Sequence, residues 1–290
     1  MSEVKNVWVL GARPKTLGAA IAPVIVGTAM AAPVGNISFI NGLLAAIVGL
    51  ALQVGVNFAN DYSDGIKGSD AVRVGPTRLV ASGLASAAAV KRAAMISFLV
   101  AAVAGLLLAY RVNWWLLAVG VAAIIAAWYY TGGKSPYGYR GFGEVSVFVF
   151  FGLVATVGSY FVQTEQISLT SMAAGVSLGL LSMALLIVNN LRDLATDKAA
   201  NKQTLAVKLG DRKTRLFYLI SVIGAIIVSM LLAITAPLAA LSGLLVLIAM
   251  QPIRDVVAGA TGKDLIQTLQ QTNRLLILLG IILAVSFLFA

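Results

Sequence analysis

Two short strings carry nearly half of the acidic residues of this chain. The first, NDYSDGIKGSD, runs from Asn60 to Asp70, and the second, NNLRDLATD, from Asn189 to Asp197. Together they hold five of the eleven aspartates and glutamates. Asn60 and Asp64 are four residues apart, as are Asp193 and Asp197, and Asp61 stands three before Asp64. On a helix these spacings bring side chains to one face. Asn190 adds an amide oxygen about one turn before Asp193. Clustered oxygen donors of this kind suit Mg2+, which keeps further positions for water and phosphate oxygens. Without a cation the like charges would raise one another's pKa. The candidate metal ligands are therefore Asn60, Asp61, Asp64, Asp70, Asn190, Asp193 and Asp197. A single such aspartate reads equally well as a solvated helix-end charge, but two clusters with matched Asn and Asp content argue against that for the set.

Basic residues surround both strings. Lys67, Arg73 and Arg78 follow the first, and Arg192, Lys198 and Lys202 flank the second. Arginine grips phosphate through paired N–H groups and lysine acts as a point charge. Acid and base in one loop are what a Mg2+-diphosphate site requires. A third segment, YYTGGKSPYGYRGFGE from Tyr129 to Glu144, mixes phenols and cations. Within it Tyr130 and Lys134 are candidates for catalysis and for diphosphate or acceptor contact, with Arg140 as a further anion contact. Tyr137 and Tyr139 read as an interfacial aromatic belt, as do Trp8, Trp114, Trp115 and Trp128. Arg13 and Lys15 read equally as a topogenic anchor or as anion contacts, and Lys15 is kept among the diphosphate candidates.

The elements that must position these groups are membrane helices. The chain has 290 residues, 60% hydrophobic and 11% charged, with mean hydropathy +0.94. A soluble domain carries roughly 25% charged residues. Cysteine and histidine are both absent, which excludes disulfides, thiolate sites and any imidazole base or ligand. The N-terminal stretch lacks the pattern of a cleaved signal, and the apolar run after Pro14 reads as a retained span. A span needs about 20 apolar residues, and nine stretches qualify: roughly 16–33, 38–59, 93–110, 113–131, 144–163, 171–190, 216–235, 237–252 and 273–290, the eighth ending at Pro252. With the N-terminus inside, 20 of the 21 lysines and arginines fall on the cytoplasmic side and only Arg111 lies outside. The net charge of +10 is thus topogenic and does not point to nucleic acid. The expectation is an all-α membrane protein: one polytopic domain over residues 1–290, nine transmembrane helices around a central cavity, both clusters at the cytoplasmic side, and a plasma-membrane location.

These residues resemble the UbiA-type intramembrane prenyltransferase superfamily, whose motifs are NDxxDxxxD and DxxxD. Asn60, Asp61 and Asp64 match the first, with the last aspartate displaced by two residues to Asp70. Asp193 and Asp197 match the second, and Tyr130 with Lys134 match a further YxxxK motif. The strings RPKTL from Arg13, GPTRLVASG from Gly75, GYRGFGE from Gly138 and KQTL from Lys202 are similar to the menaquinone branch of the superfamily. Asn201 stands where related sequences often carry glycine, which implies a slightly different loop. The resemblance implies a Mg2+-dependent enzyme that joins a polyprenyl diphosphate to 1,4-dihydroxy-2-naphthoate. Another acceptor such as 4-hydroxybenzoate, or a cation transporter built on membrane carboxylates, remains as an alternative. Donor chain length and oligomeric state are not legible.

Overall fold

A computed structural model describes residues 6–35, 37–68 and 77–290. Every regular element among them is helical. In chain order these are α1 (Val7–Ala12), α2 (Gly18–Ala29), α3 (Phe39–Lys67), α4 (Ala87–Arg111), α5 (Leu116–Tyr129), α6 (Gly143–Val147), α7 (Ala155–Thr164), α8 (Leu169–Arg192), α9 (Leu194–Ala199), α10 (Leu205–Leu209), α11 (Asp211–Leu231), α12 (Leu245–Val257) and α13 (Leu265–Leu288). A π-helical stretch, Phe148–Val154, joins α6 to α7 into one span.

Seven described helices are long and apolar enough to cross a membrane, and the bent pair Val7–Thr16 and Gly18–Val34 makes an eighth if it is one span. The bend is 51°. It falls where Pro14 supplies no N–H and disfavours the α region for the residue before it. Arg13 answers by adopting a left-handed φ of 53°. The stretch expected as a fourth span is α5, whose 14 residues reach about 21 Å, short of the roughly 30 Å of a bilayer core. The eighth expected span does not end at Pro252. α12 continues to Val257, with the proline ring buried, so packing outweighs the one lost hydrogen bond.

Local signals explain the boundaries that matter for the site. The Ser38 hydroxyl caps the start of α3 at the Asn41 N–H (3.3 Å), and Gly68, at φ 70°, closes its end. Residues 60–67 of the first acidic string therefore lie on a continuation of the helix rather than in a loop. At the start of α8, Ser168 and Ser171 form a reciprocal capping box.

Two packing regions flank a cavity, and a third small cluster of Val24, Ala45, Leu108 and Val162 lines it. The larger core joins α2, α8, α11, α12 and α13 around Leu178, Leu181, Tyr218, Leu276 and Leu279. The smaller one joins α3 and α4 with Leu79 around Phe58, Val90 and Phe98. The π-helical stretch meets α8 almost backbone to backbone: a Cβ on Gly152 would stand 2.4 Å from the Gly179 Cα. Such close approach of spans is what small residues permit.

Candidate active site

The last turns of α3 present the first cluster. Asp64 is buried and is the centre of a charged knot. The Tyr139 hydroxyl donates to its Oδ1, while Lys202 Nζ and Arg78 Nη2 stand 3.5 and 3.7 Å from its Oδ2. A carboxylate taken out of water needs such partners. Asp61, three residues earlier, is fully buried and has a different job. Its two oxygens accept the backbone N–H groups of Leu79 (2.8 Å) and Val80 (3.0 Å). It thereby holds the returning loop so that Arg78 reaches Asp64. Each oxygen takes one amide N–H, which gives Asp61 an anchoring role in this loop. Asn60 faces the cavity, and its Oδ1 accepts from the Thr131 hydroxyl at 2.7 Å.

The second cluster straddles a break between α8 and α9. Arg192 clamps Asp193 through two bonds of 2.7 and 2.6 Å, which ties that aspartate to its own neighbour. Asp197 sits one turn further on, on α9. The end of α9 is shaped by a left-handed Asn201, φ 56°. The Asn201 N–H reaches the Lys198 carbonyl (3.2 Å) and the Lys202 N–H the Asp197 carbonyl (2.9 Å), a Schellman closure. This turn sends the buried Lys202 side chain back to Asp64, so the two clusters are joined through a lysine. Asparagine is the side chain that best tolerates the left-handed region after glycine, so the expected change of loop path at Asn201 is not needed.

The loop after α5 completes the site with a residue set aside on sequence grounds. Tyr139 was expected in an aromatic belt. Instead its hydroxyl binds Asp64, and its ring lies between two ammonium groups, with Lys67 Nζ 5.0 Å and Lys202 Nζ 4.7 Å from the centroid. Lys67 also donates to the Thr131 carbonyl (2.7 Å), and the Gln203 N–H to the Tyr139 carbonyl (3.0 Å). Tyr137 is likewise internal, sharing a 2.9 Å hydrogen bond with Ser146. The hint in the sequence was that Tyr139 falls within GYRGFGE, one of the strings that carry the family resemblance. Among the tryptophans, Trp8 packs edge-on against Phe58, Trp115 against Phe161, and Trp128 stacks on Tyr62.

Tyr130 lies where the cluster meets the cavity. A phenol is neutral at neutral pH, so Tyr130 is an uncharged hydrogen-bonding group there. The cavity itself has a volume of about 320 Å³. Its α3 wall is a stripe from Ala45 to Asn60, a rise of about 22 Å. The facing walls are α5 and the span containing Phe150, Phe151, Val154 and Gly158. Apart from Ser159, the polar lining residues lie toward one end, where Gln53, Asn57, Asn60, Tyr130, Tyr137 and Ser146 gather.

The structure thus brings together Asn60, Asp64, Lys67, Arg78, Tyr130, Asp197 and Lys202. Lys15, Lys134, Arg140 and Lys198 are exposed, and Lys134 makes no hydrogen bond or ion pair among the described residues. Asp70 and Arg73 lie outside the described residues. No three acidic side chains converge into a metal cage among the described residues. A cation here would need amide oxygens as well as the two carboxylates. The chemistry of the donor set meets that need: Asn60 and Asn190 both carry amide oxygens, and the Asn190 NH2 is held by Glu144 (2.9 Å), which turns its carbonyl away.

An all-helical bundle with an apolar cavity ending at paired acidic strings defines a membrane enzyme of a recognisable class. Residues 20–273 match the UbiA prenyltransferase family, and the chain belongs to it. It is 48% identical over 276 residues to a 1,4-dihydroxy-2-naphthoate octaprenyltransferase of Mycobacterium tuberculosis, covering 92% of this chain and 91% of that protein. A protein of the same name from Escherichia coli is 38% identical over 227 residues, covering 76% of this chain and 74% of that one. In fold it is similar to a UbiA homolog from Archaeoglobus fulgidus solved with GPP and Mg2+, with TM-score 0.71, 12% identity and coverage of 97% and 100%.

Proposed function

We propose that this protein transfers a polyprenyl group from polyprenyl diphosphate to 1,4-dihydroxy-2-naphthoate, releasing diphosphate and CO2 and leaving a demethylmenaquinol. The observation that carries the reading is the junction at Asn60 and Tyr130. There a long apolar cavity, suited to an isoprenoid chain, ends against buried carboxylates and cations. The named relatives support the acceptor.

In this reading Mg2+ would be held by Asp64 and Asp197 with the amide oxygens of Asn60 and Asn190, and would neutralise the diphosphate as it departs. The chain's own groups do the rest. Lys67, Arg78 and Lys202 take up the negative charge that develops on the leaving oxygens. Tyr139 holds Lys67 and Lys202 at one place, and Tyr130 donates its retained proton as a hydrogen bond. The apolar walls keep water from the allylic carbon once the C–O bond breaks and its electron pair leaves with the diphosphate. The ring carbon bearing the carboxylate attacks, a C–C bond forms, and the C–CO2 bond breaks to restore the aromatic ring, so no external base is required. The exposed Lys134, Arg140, Lys198 and Lys15, with Arg73, receive the diphosphate from the aqueous side. We further read the nine-helix count from the eight spans plus α5, with the N-terminus and the site cytoplasmic and the chain in the plasma membrane.

The test is product identification by mass, using purified protein, Mg2+, a set of prenyl diphosphates and two acceptors. A demethylmenaquinol from dihydroxynaphthoate is the expected result. Transfer to 4-hydroxybenzoate alone would reassign the acceptor, and no diphosphate release with either would end the transferase reading.

A further inference from the structure

Among the described residues, Glu144 is the only buried carboxylate outside the two aspartate clusters. It lies in the first turn of α6, where the helix terminus favours negative charge. Its Oε1 accepts from Asn190 Nδ2 at 2.9 Å, and its Oε2 has no hydrogen-bond partner among the described residues. A buried oxygen left without a donor is destabilising. The group is therefore an expensive way merely to fill space. The Tyr130 hydroxyl is close by, since a Cβ on the adjacent Gly143 would stand 3.1 Å from it. Glu144 thus stands behind two residues of the site at once.

What a carboxylate does to an amide settles its role. The Asn190 side chain has two unlike ends, a carbonyl that attracts a cation and an NH2 that repels one. Here Glu144 Oε1 takes the NH2 end, at 2.9 Å from Asn190 Nδ2. The carbonyl is then fixed on the opposite side of the amide. We propose that Glu144 is a positioning residue for the cation site, locking the Asn190 amide with its oxygen available to a divalent ion. This rests on the reading of Asn190 as a ligand in the proposed function. Outer partners that orient ligands in this way are worth about 10–100-fold in metal affinity.

The test reads binding rather than turnover: Mn2+ titrated into the full-length, detergent-solubilised protein and followed by electron paramagnetic resonance. Glu144→Met removes the acceptor at similar volume and is expected to raise the Mn2+ midpoint about tenfold or more. Glu144→Gln, whose amide can face either way, should give a smaller rise. The decisive variant pairs Glu144→Gln with Asn190→Asp. The glutamine NH2 then donates to one oxygen of the introduced carboxylate and leaves the other for the ion. This double variant is expected to bind better than Asn190→Asp alone, in which two carboxylates face each other. Its recovery also shows that the fold survives. A midpoint for Glu144→Met within twofold of the parent, or a double variant no better than Asn190→Asp, would overturn the proposal. Mn2+ binding untouched by Asn190→Ala and Asp197→Asn would overturn the cation-site reading itself and so marks a separate failure.

Discussion

The two acidic clusters have nearly the same letters and are put to use in different ways. In the first, on the uninterrupted end of α3, Asp61 and Asp64 both point into protein and both are buried. In the second, spread over the break between α8 and α9, Asp193 is gripped by the adjacent Arg192 and Asp197 sits further out on a short helix. Each cluster nevertheless divides its labour. Among the described residues, one aspartate secures local backbone or a neighbouring side chain (Asp61 on the Leu79 and Val80 amides, Asp193 on Arg192), while Asp64 meets Tyr139, Lys202 and Arg78, and Asp197 stands at the turn that delivers Lys202. Spacing on a helix face sets which residues are neighbours. The loop that returns against the face decides which of them is left for chemistry.

The largest expected effects break the pair of site-facing aspartates. Asp64→Asn and Asp197→Asn should each lower prenyl transfer by about 10³-fold or more, the scale of a lost electrostatic element in a buried site. Membrane insertion and yield should be unchanged. Comparable activity in both variants and the parent would remove these residues from the site. Asp61→Ala should behave differently, because it leaves two backbone N–H groups buried and unmatched. The expected loss is about 2–4 kcal/mol of stability, seen as a lower Tm, with activity falling through Arg78. A variant inactive at unchanged Tm would return Asp61 to the ligands.

The next effect concerns the residues that link the clusters. Tyr139→Phe keeps the ring between Lys67 and Lys202 but removes the hydrogen bond to Asp64. About a 10–100-fold loss in kcat/KM is expected, in line with the 1.5–3 kcal/mol of a bond to a charged group. Lys202→Ala should cost at least as much. Lys134→Ala should lose only about twofold, close to Lys91→Ala, whose ammonium lies at the surface 5.7 Å from the Tyr62 ring. A larger loss in Lys134→Ala than in Lys202→Ala would restore the lysine that the YxxxK spacing favours.

The reasons for this reordering show what a sequence can carry. The helical class and most span positions were legible because bilayer thickness forces long apolar runs. Both acidic strings stood out because carboxylates are rare beside a membrane. What could not be read was the path of the loops. Tyr139 and Lys134 are five residues apart in one polar segment, and nothing in their types tells which turns inward. The choice is made by the Gly138 N–H bonding the Tyr130 carbonyl (3.0 Å) within the same loop and by the Gln203 N–H bonding the Tyr139 carbonyl, a contact of long range in sequence. Glu144 was hidden for the same reason: its partner lies 46 residues away on α8. The bend at Pro14 was open to local rules, whereas the passage of α12 through Pro252 was decided by burial.

The smallest effect separates the clusters most finely, because among the described residues it is the second that depends on a helix closure to deliver its lysine. Asn201 holds the left-handed turn from which Lys202 reaches Asp64. Glycine occupies that conformation without a Cβ penalty, so Asn201→Gly should leave kcat and KM within about twofold of the parent. A β-branched side chain there meets a penalty of about 1–2 kcal/mol. Asn201→Val should therefore raise the KM for the prenyl diphosphate several-fold while hardly moving Tm, since α9 is short and exposed. The corresponding closure of α3 at Gly68 carries no residue that reaches Asp64 among the described ones, and Gly68→Ala should change Tm more than KM. If the two substitutions moved KM alike, the closure of α9 would have no special part in aiming Lys202, and the lysine would be held by Tyr139 and Asp64 alone.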